Sequence, residues 1–304
     1  MLGKLNCYVK KLSILLITVA LIVVMVGCSL FPSQNQEIRT WYDLDAIRDN
    51  LRGSYILMND LNSTTAGYEE LASPTANQGK GWQPIGTEDD LFTGTFDGQG
   101  YEIRDLFINR PDEMYMGLFG VVDERGVVES IGVVNADVTG YGGVGGLVGG
   151  NDGGTVSNSY STGNVTGTGW VGGLVGANHG PVSNSYSTGS VTGDVGVGGL
   201  VGWNEAVPVS NSYSTGNVTG EEGVGGLVGL TSGTVSNSFW DIETSGQATS
   251  DGGTAKTTVQ MKNLTTFSGA GWNIIAVANP GTRNPAYIWN TVDDETYPFL
   301  SWQL

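Results

Sequence analysis

The sequence predicts an all-β chain, a parallel β-helix (β-solenoid) of roughly 26–27-residue rungs with a short N-terminal helical cap and a C-terminal cap. Three observations predict it. The pentapeptide GGLVG recurs at 145–149, 172–176, 198–202 and 225–229, a spacing of 27, 26 and 27 residues. A second block follows each copy: VSNSYSTGNVTG at 156–167 and 209–220, VSNSYSTGSVTG at 182–193, and a divergent VSNSFW from 235. Glycine makes up 49 of 304 residues with no Gly-X-Y period, and 39% of residues are hydrophobic, which excludes collagen and simple disorder. Units repeated at such a period bury little alone and a continuous core when stacked.

The first element is an address. Lys4, Lys10 and Lys11 precede an apolar run, Leu12 to Val26, shorter than the ~20 residues that comfortably span a bilayer. Met25-Val26-Gly27-Cys28 resembles the lipobox of bacterial lipoproteins, with Met25 where Leu is usual. The resemblance implies cleavage before Cys28 and a diacylglycerol on its sulfur, so residues 1–27 are the signal peptide and 28–37 a polar tether. Cys7 leaves with the signal, so the mature chain would hold neither a free thiol nor a disulfide.

Residues 38–80 are expected to form an N-terminal cap and the first strands. Trp41, Leu44, Ile47 and Leu51 make an apolar stripe at helical spacing, with Thr40 as N-cap and Gly53 as stop. Tyr55 to Met58 reads as the first strand. Residues 81–245 form the solenoid. Within a unit Val156, Asn158, Tyr160 and Thr162 alternate with Ser157, Ser159 and Ser161, which puts the first set on one strand face and the serines on the other. Stacking places Val156 over Val182, Val209 and Val235, and Tyr160 over Tyr186, Tyr213 and Phe239. Asn151, Asn178 and Asn204 share a turn position suited to left-handed backbone and to hydrogen bonds up the stack. Residues 246–304, with Trp272, Trp289, Tyr297, Phe299 and Trp302, read as a C-terminal cap.

The units resemble GLUG motifs, which occur in bacterial surface proteins and in some immunoglobulin A-cleaving metallopeptidases. The likeness extends to Gly81-Trp82-Gln83-Pro84-Ile85-Gly86 and to Phe92 to Gly100. It implies the fold and a surface location. It carries over no catalytic residues, because the motif has none.

Composition narrows the function. Thirty acidic against 13 basic residues give a net charge of −17, and no Lys or Arg occurs between Arg125 and Lys256, which excludes a nucleic-acid partner. The GxGxxG at 140–145 belongs to the repeat and lacks the strand and helix of a dinucleotide site. His179 is the sole histidine, and there is no HExxH, so neither a zinc protease site nor a Ser/His/Asp triad can be assembled. No metal site or cofactor is expected. The adjacent acids Glu69/Glu70, Asp89/Asp90, Glu221/Glu222 and Asp293/Asp294/Glu295 read as solvated turns. Acids at matching positions of neighbouring rungs, in one groove beside a basic group, would instead mark a polysaccharide-cleaving enzyme.

Tyr141, Trp170 and Trp203 are the candidate binding residues, aromatics in loop slots among Gly, Ser, Thr and Asn that suit sugar rings. Trp203 takes a slot filled elsewhere by Gly150, Ala177 and Leu230. The expected function is a non-catalytic surface protein, held at the membrane by lipidated Cys28 and facing outside the cytoplasm, that displays a solenoid to a glycan or surface-protein ligand. The alternatives are an extracellular polysaccharide lyase or glycoside hydrolase, or a structural spacer of the envelope.

Overall fold

The computed structural model describes residues 35–303; the expected signal peptide, Cys28 and most of the expected tether lie outside them. Residues 36–304 make one compact unit, a parallel β-solenoid in which each turn visits four sheets in the same order. Sheet 1 stacks Met114–Met116, Gly142–Gly145, Gly169–Gly172, Val195–Gly198 and Glu222–Gly225; sheet 2 stacks Phe119–Asp123, Val148–Asp152, Val175–Asn178, Val201–Asn204 and Val228–Thr231. Sheet 3 carries the VS pairs. Sheet 4 carries the tyrosines and the NVT segments. Five turns are complete. Sheet 3 also continues backwards through Thr95–Asp97 and Ser54–Leu57 to Gln36–Ile38, so parallel pairing begins well before the first clear repeat.

Like residues stack on like. Val144, Val171, Val197 and Val224 are in register, as are Val148, Val175, Val201 and Val228, and Val156, Val182, Val209 and Val235. With the fully buried Leu147, Leu174, Leu200 and Leu227 they fill the coil. The coil is thin because glycine faces serine across it: a Cβ on Gly146, Gly173 or Gly199 would run into the hydroxyl of Ser161, Ser187 or Ser214. In the last turn Trp240 replaces that serine. Its indole lies against Gly226 and donates to the Gln247 carbonyl (3.0 Å), closing the interior.

At the other end Trp41, Trp82, Phe92, Phe96 and Phe119 plug the coil with fully buried rings, Phe92 and Phe119 5.0 Å apart. The expected helix is shorter than its apolar stripe. It runs Trp41–Asp45 from a capping box in which Thr40 Oγ1 accepts from the Asp43 amide (3.1 Å) and Asp43 accepts from the Thr40 amide (2.9 Å), then tightens to a 3-10 turn, Ala46–Asp49. Leu51 lies beyond it.

The assignment of strand faces is corrected by the structure. Asn158, Asn184, Asn211 and Asn237 sit at φ of 48–49°, a left-handed corner that breaks the period-two alternation between Val156 and Tyr160. Val156 therefore points into the coil and Tyr160 out of it. Ser159, Ser185, Ser212 and Ser238 turn inward and are at most 1% exposed. Each donates to the carbonyl two residues back, Ser185 to Ser183 O at 2.8 Å, and accepts the amide of the preceding rung, Ser159 N at 3.2 Å. The left-handed role belongs to these asparagines. Asn151, Asn178 and Asn204 instead lie in strands, fully buried, and form the expected ladder: Asn151 Nδ2 donates to Asn178 Oδ1 (2.8 Å) and Asn178 Nδ2 to Asn204 Oδ1 (2.7 Å).

The outward tyrosines are nevertheless buried. Tyr160, Tyr186 and Tyr213 stack at 4.8 and 4.9 Å with planes within 2° of parallel. Residues 258–303 lie over them along the flank of the coil and supply Met261, Phe267, Trp272, Ile274, Trp289 and Leu300, a second core outside the first. Tyr213 donates to the Pro298 carbonyl (2.6 Å), and Gln303 donates to Tyr186 Oη (2.6 Å).

Burial holds the Tyr160, Tyr186 and Tyr213 phenols well above their ordinary pKa, and burial with the Asp241 carboxylate takes Tyr297 up to about 12. Unfolded tyrosines ionise near ~10, so above that pH the unfolded state loses protons that the folded state keeps. The stabilisation is complete below the unfolded pKa and is lost as pH rises towards the folded values. The melting temperature should hold up to about pH 10 and then fall steadily. A flat melting profile to about pH 12 would contradict the buried ladder.

Candidate binding groove

The first strand of each full turn, in sheet 1, contains one residue in left-handed backbone. In three turns it is glycine: Gly143, Gly196 and Gly223, with φ of 61–67°. In the other two it is aromatic, Tyr115 at φ 58° and Trp170 at φ 52°. A bulky side chain in that region costs on the order of 1–3 kcal/mol and persists only where its surroundings over-determine it. Both rings lie on the outside of the coil. Tyr115 covers Gly143 and Gly150, and Trp170 covers Gly196.

The neighbouring column, in sheet 2, runs Val121, Gly150, Ala177, Trp203, Leu230 in register. The two small residues leave a trough between larger ones. That trough is a groove of about 240 Å³ lined by Glu88, Leu91, Tyr115, Val121, Gly150, Asn151, Asp152, Ala177 and His179. Trp203 extends its far wall, stacking on Trp170 at 5.1 Å and meeting the His179 ring edge-on at 5.0 Å. His179 Nε2 is 3.0 Å from Glu205 Oε2. Tyr115 faces this wall across Gly150 and Ala177.

Two of the three aromatics singled out in the sequence therefore meet. Trp170 and Trp203 are half-buried and in contact. Tyr141, 52% exposed, lines neither this groove nor the cleft beside it. Tyr115 was missed. Its unit is recognisable in the sequence only from Gly117-Leu118-Phe119-Gly120 onwards, and Tyr115 precedes that block, in the slot that Gly143 fills twenty-eight positions on.

Leu91 also lines a larger cleft of about 650 Å³ that contains Arg48, Arg52, Arg125, Asp49, Asp89, Asp90 and Asp123. Two of its guanidiniums are already engaged. Arg48 lies over the Trp82 ring, 4.4 Å from the centroid, held by Asp45 and the Gln83 carbonyl; Arg125 Nε bonds Asp123 Oδ1 at 3.2 Å. Asp49, Asp89 and Asp90 are exposed.

Acids at matching positions of neighbouring rungs do occur, at Asp97 and Glu129 in sheet 3 and at Asp123 and Asp152 in sheet 2. Burial, and then the Asp97 charge, push the Glu129 carboxyl above its usual range. Asp97 and Glu129 line neither depression, and Asp123 and Asp152 line different ones, the cleft and the groove. Among the described residues no cluster of three or more His, Cys, Asp or Glu could hold a metal ion.

Comparison with known proteins agrees with this architecture. The model of the GLUG motif matches residues 140–166, so the chain carries that motif in the turn that begins at Gly142. Halomucin of Haloquadratum walsbyi is 36% identical over 138 residues, 43% of this chain and 1% of halomucin. A proposed Gly-rich membrane protein of Evansella cellulosilytica is 37% identical over 121 residues, 38% of this chain and 13% of that protein. The chain thus spans only a small part of either relative. The crystal structure of a proposed immunoglobulin A1 protease from Bacteroides ovatus superposes with a TM-score of 0.63, covering 90% of this chain and 94% of that one. At 20% identity this likeness shows the shared fold alone.

Proposed function

We propose that this chain is a non-catalytic protein of the cell envelope that binds a carbohydrate strand in the groove between Tyr115 and Trp203, tethered to the membrane through lipidated Cys28. The observation that carries the reading is the pair of aromatics in left-handed slots that other turns give to glycine. A ring retained there against backbone preference, beside a trough floored by Gly150 and Ala177, offers a flat apolar face to a pyranose ring. The names of the relatives support an envelope or extracellular location. The lipobox-like Met25-Val26-Gly27-Cys28 supports the anchor.

Glycine relieves the strained slots, so Tyr115→Gly and Trp170→Gly, made in residues 29–304, separate binding from folding. Each should leave the melting temperature within about 3 °C and weaken binding to a panel of hexasaccharides by roughly tenfold. Melting lowered by several degrees with binding unchanged would make the rings corner fillers and the protein a spacer. In the full chain, Cys28→Ser should release the protein from membranes and remove its lipid label.

Glu129 beside Asp97 supports a second reading, carboxylate-catalysed cleavage of a polysaccharide. Incubation with the same hexasaccharides should release no reducing ends. Release that Glu129→Gln abolishes would establish the enzyme instead.

A further inference from the structure

We infer that the carbohydrate taken by this groove carries protonated amines, as a glucosamine polymer does; the inference rests on the carbohydrate reading above and names its ligand class. The groove combines rings with carboxylates. Glu88 and Asp152 line it beside Tyr115, and Glu205 closes on His179 at its far wall. None of its lining residues is Lys or Arg. Arg125 bonds Asp123, the residue in register with Asp152, and so is already engaged.

An ammonium group in such a trough gains from both kinds of neighbour. It meets the negative face of the Tyr115 ring, and it sits within reach of Glu88 and Asp152, carboxylates that no Lys or Arg of the groove neutralises. The phenol of Tyr115 reports this environment: burial first, then the charges of Glu88 and Asp152, raise its pKa. The wider field has the same sign, because residues 126–255 contain no Lys or Arg, and that field steers cations towards the coil. A uronate strand would meet repulsion along the same path. A neutral glycan would offer the carboxylates hydroxyl donors but no charge.

The test compares hexamers of glucose, N-acetylglucosamine and glucosamine, with hexalysine as a cation without rings, on residues 29–304 at mildly acidic pH. The glucosamine hexamer should bind roughly tenfold more tightly than either neutral hexamer, and the preference should shrink in about 1 M salt. Glu88→Gln combined with Asp152→Asn should abolish the preference; both residues are exposed, so the fold is not at stake. Equal binding of all three sugars, or a preference that survives the double variant, would overturn the inference while the carbohydrate reading stands. Hexalysine binding as tightly as the glucosamine hexamer would also overturn it. If none of the sugars binds, the carbohydrate reading itself fails.

Discussion

Tyr213→Ala is expected to destabilise the protein by about 4 kcal/mol, the range of a buried aromatic truncated to Ala. Tyr213 is 1% exposed and sits mid-ladder, in register with Tyr186 on one side and Phe239 on the other. Its ring also meets Phe267, Trp272, Trp289 and Tyr297, with centroids 5.9–6.5 Å away. Truncation opens a cavity between the coil and residues 258–303 and orphans the Pro298 carbonyl. Tyr213→Phe keeps the ring and loses only the hydrogen bond, so it should cost about 1 kcal/mol. Urea unfolding of the two variants decides the matter. Equal losses would mean that the stack and the segment over it contribute little.

Gly172→Ala should be nearly as damaging, at about 3 kcal/mol, although it adds one methyl group. A Cβ there would press on the Val175 carbonyl, and would lie 2.7 Å from Gly202 N and 2.9 Å from Leu200 O. All three contacts are backbone of the same or the next rung, and none can swing aside. Gly169, in the same strand, is the matched control. Its Cβ would meet nothing nearer than Val195 O at 3.9 Å, so Gly169→Ala should be neutral within ~0.5 kcal/mol. Similar melting curves for the two variants would refute the reading that Gly172, the last residue of its strand at the GGLVG corner, is packed backbone to backbone.

Much of the architecture was legible because repetition converts sequence spacing into spatial register. Once GGLVG recurs every 26 or 27 residues, Val148 must lie over Val175 and Asn151 over Asn178, whatever the coil looks like in section. What spacing cannot convey is the direction a strand takes at a corner. Asparagine takes left-handed backbone readily, but nothing in the spacing says that Asn158 rather than Asn151 does so, and its left-handed backbone reverses every face beyond it. The serines were thereby read as outward, and the tyrosines as sharing the valine face. The groove was harder still. Trp170 and Trp203 stand out as departures from identity between units, but Tyr115 lies in a turn whose repeat has decayed. Glu88 and Leu91 lie in a loop outside the repeat altogether, and nothing local ties that loop to Gly150 and Ala177.

The segment that runs back along the flank also changes how the coil answers to force. A bare solenoid pulled from its last turn peels one rung at a time, each step breaking only the few hydrogen bonds of a single edge. Here the chain's final residues return to Tyr186 through Gln303 and to Tyr160 through Trp302, a ring contact of 5.6 Å. Tension on the C-terminus is therefore delivered first to the middle of the stack, across several rungs at once and in shear.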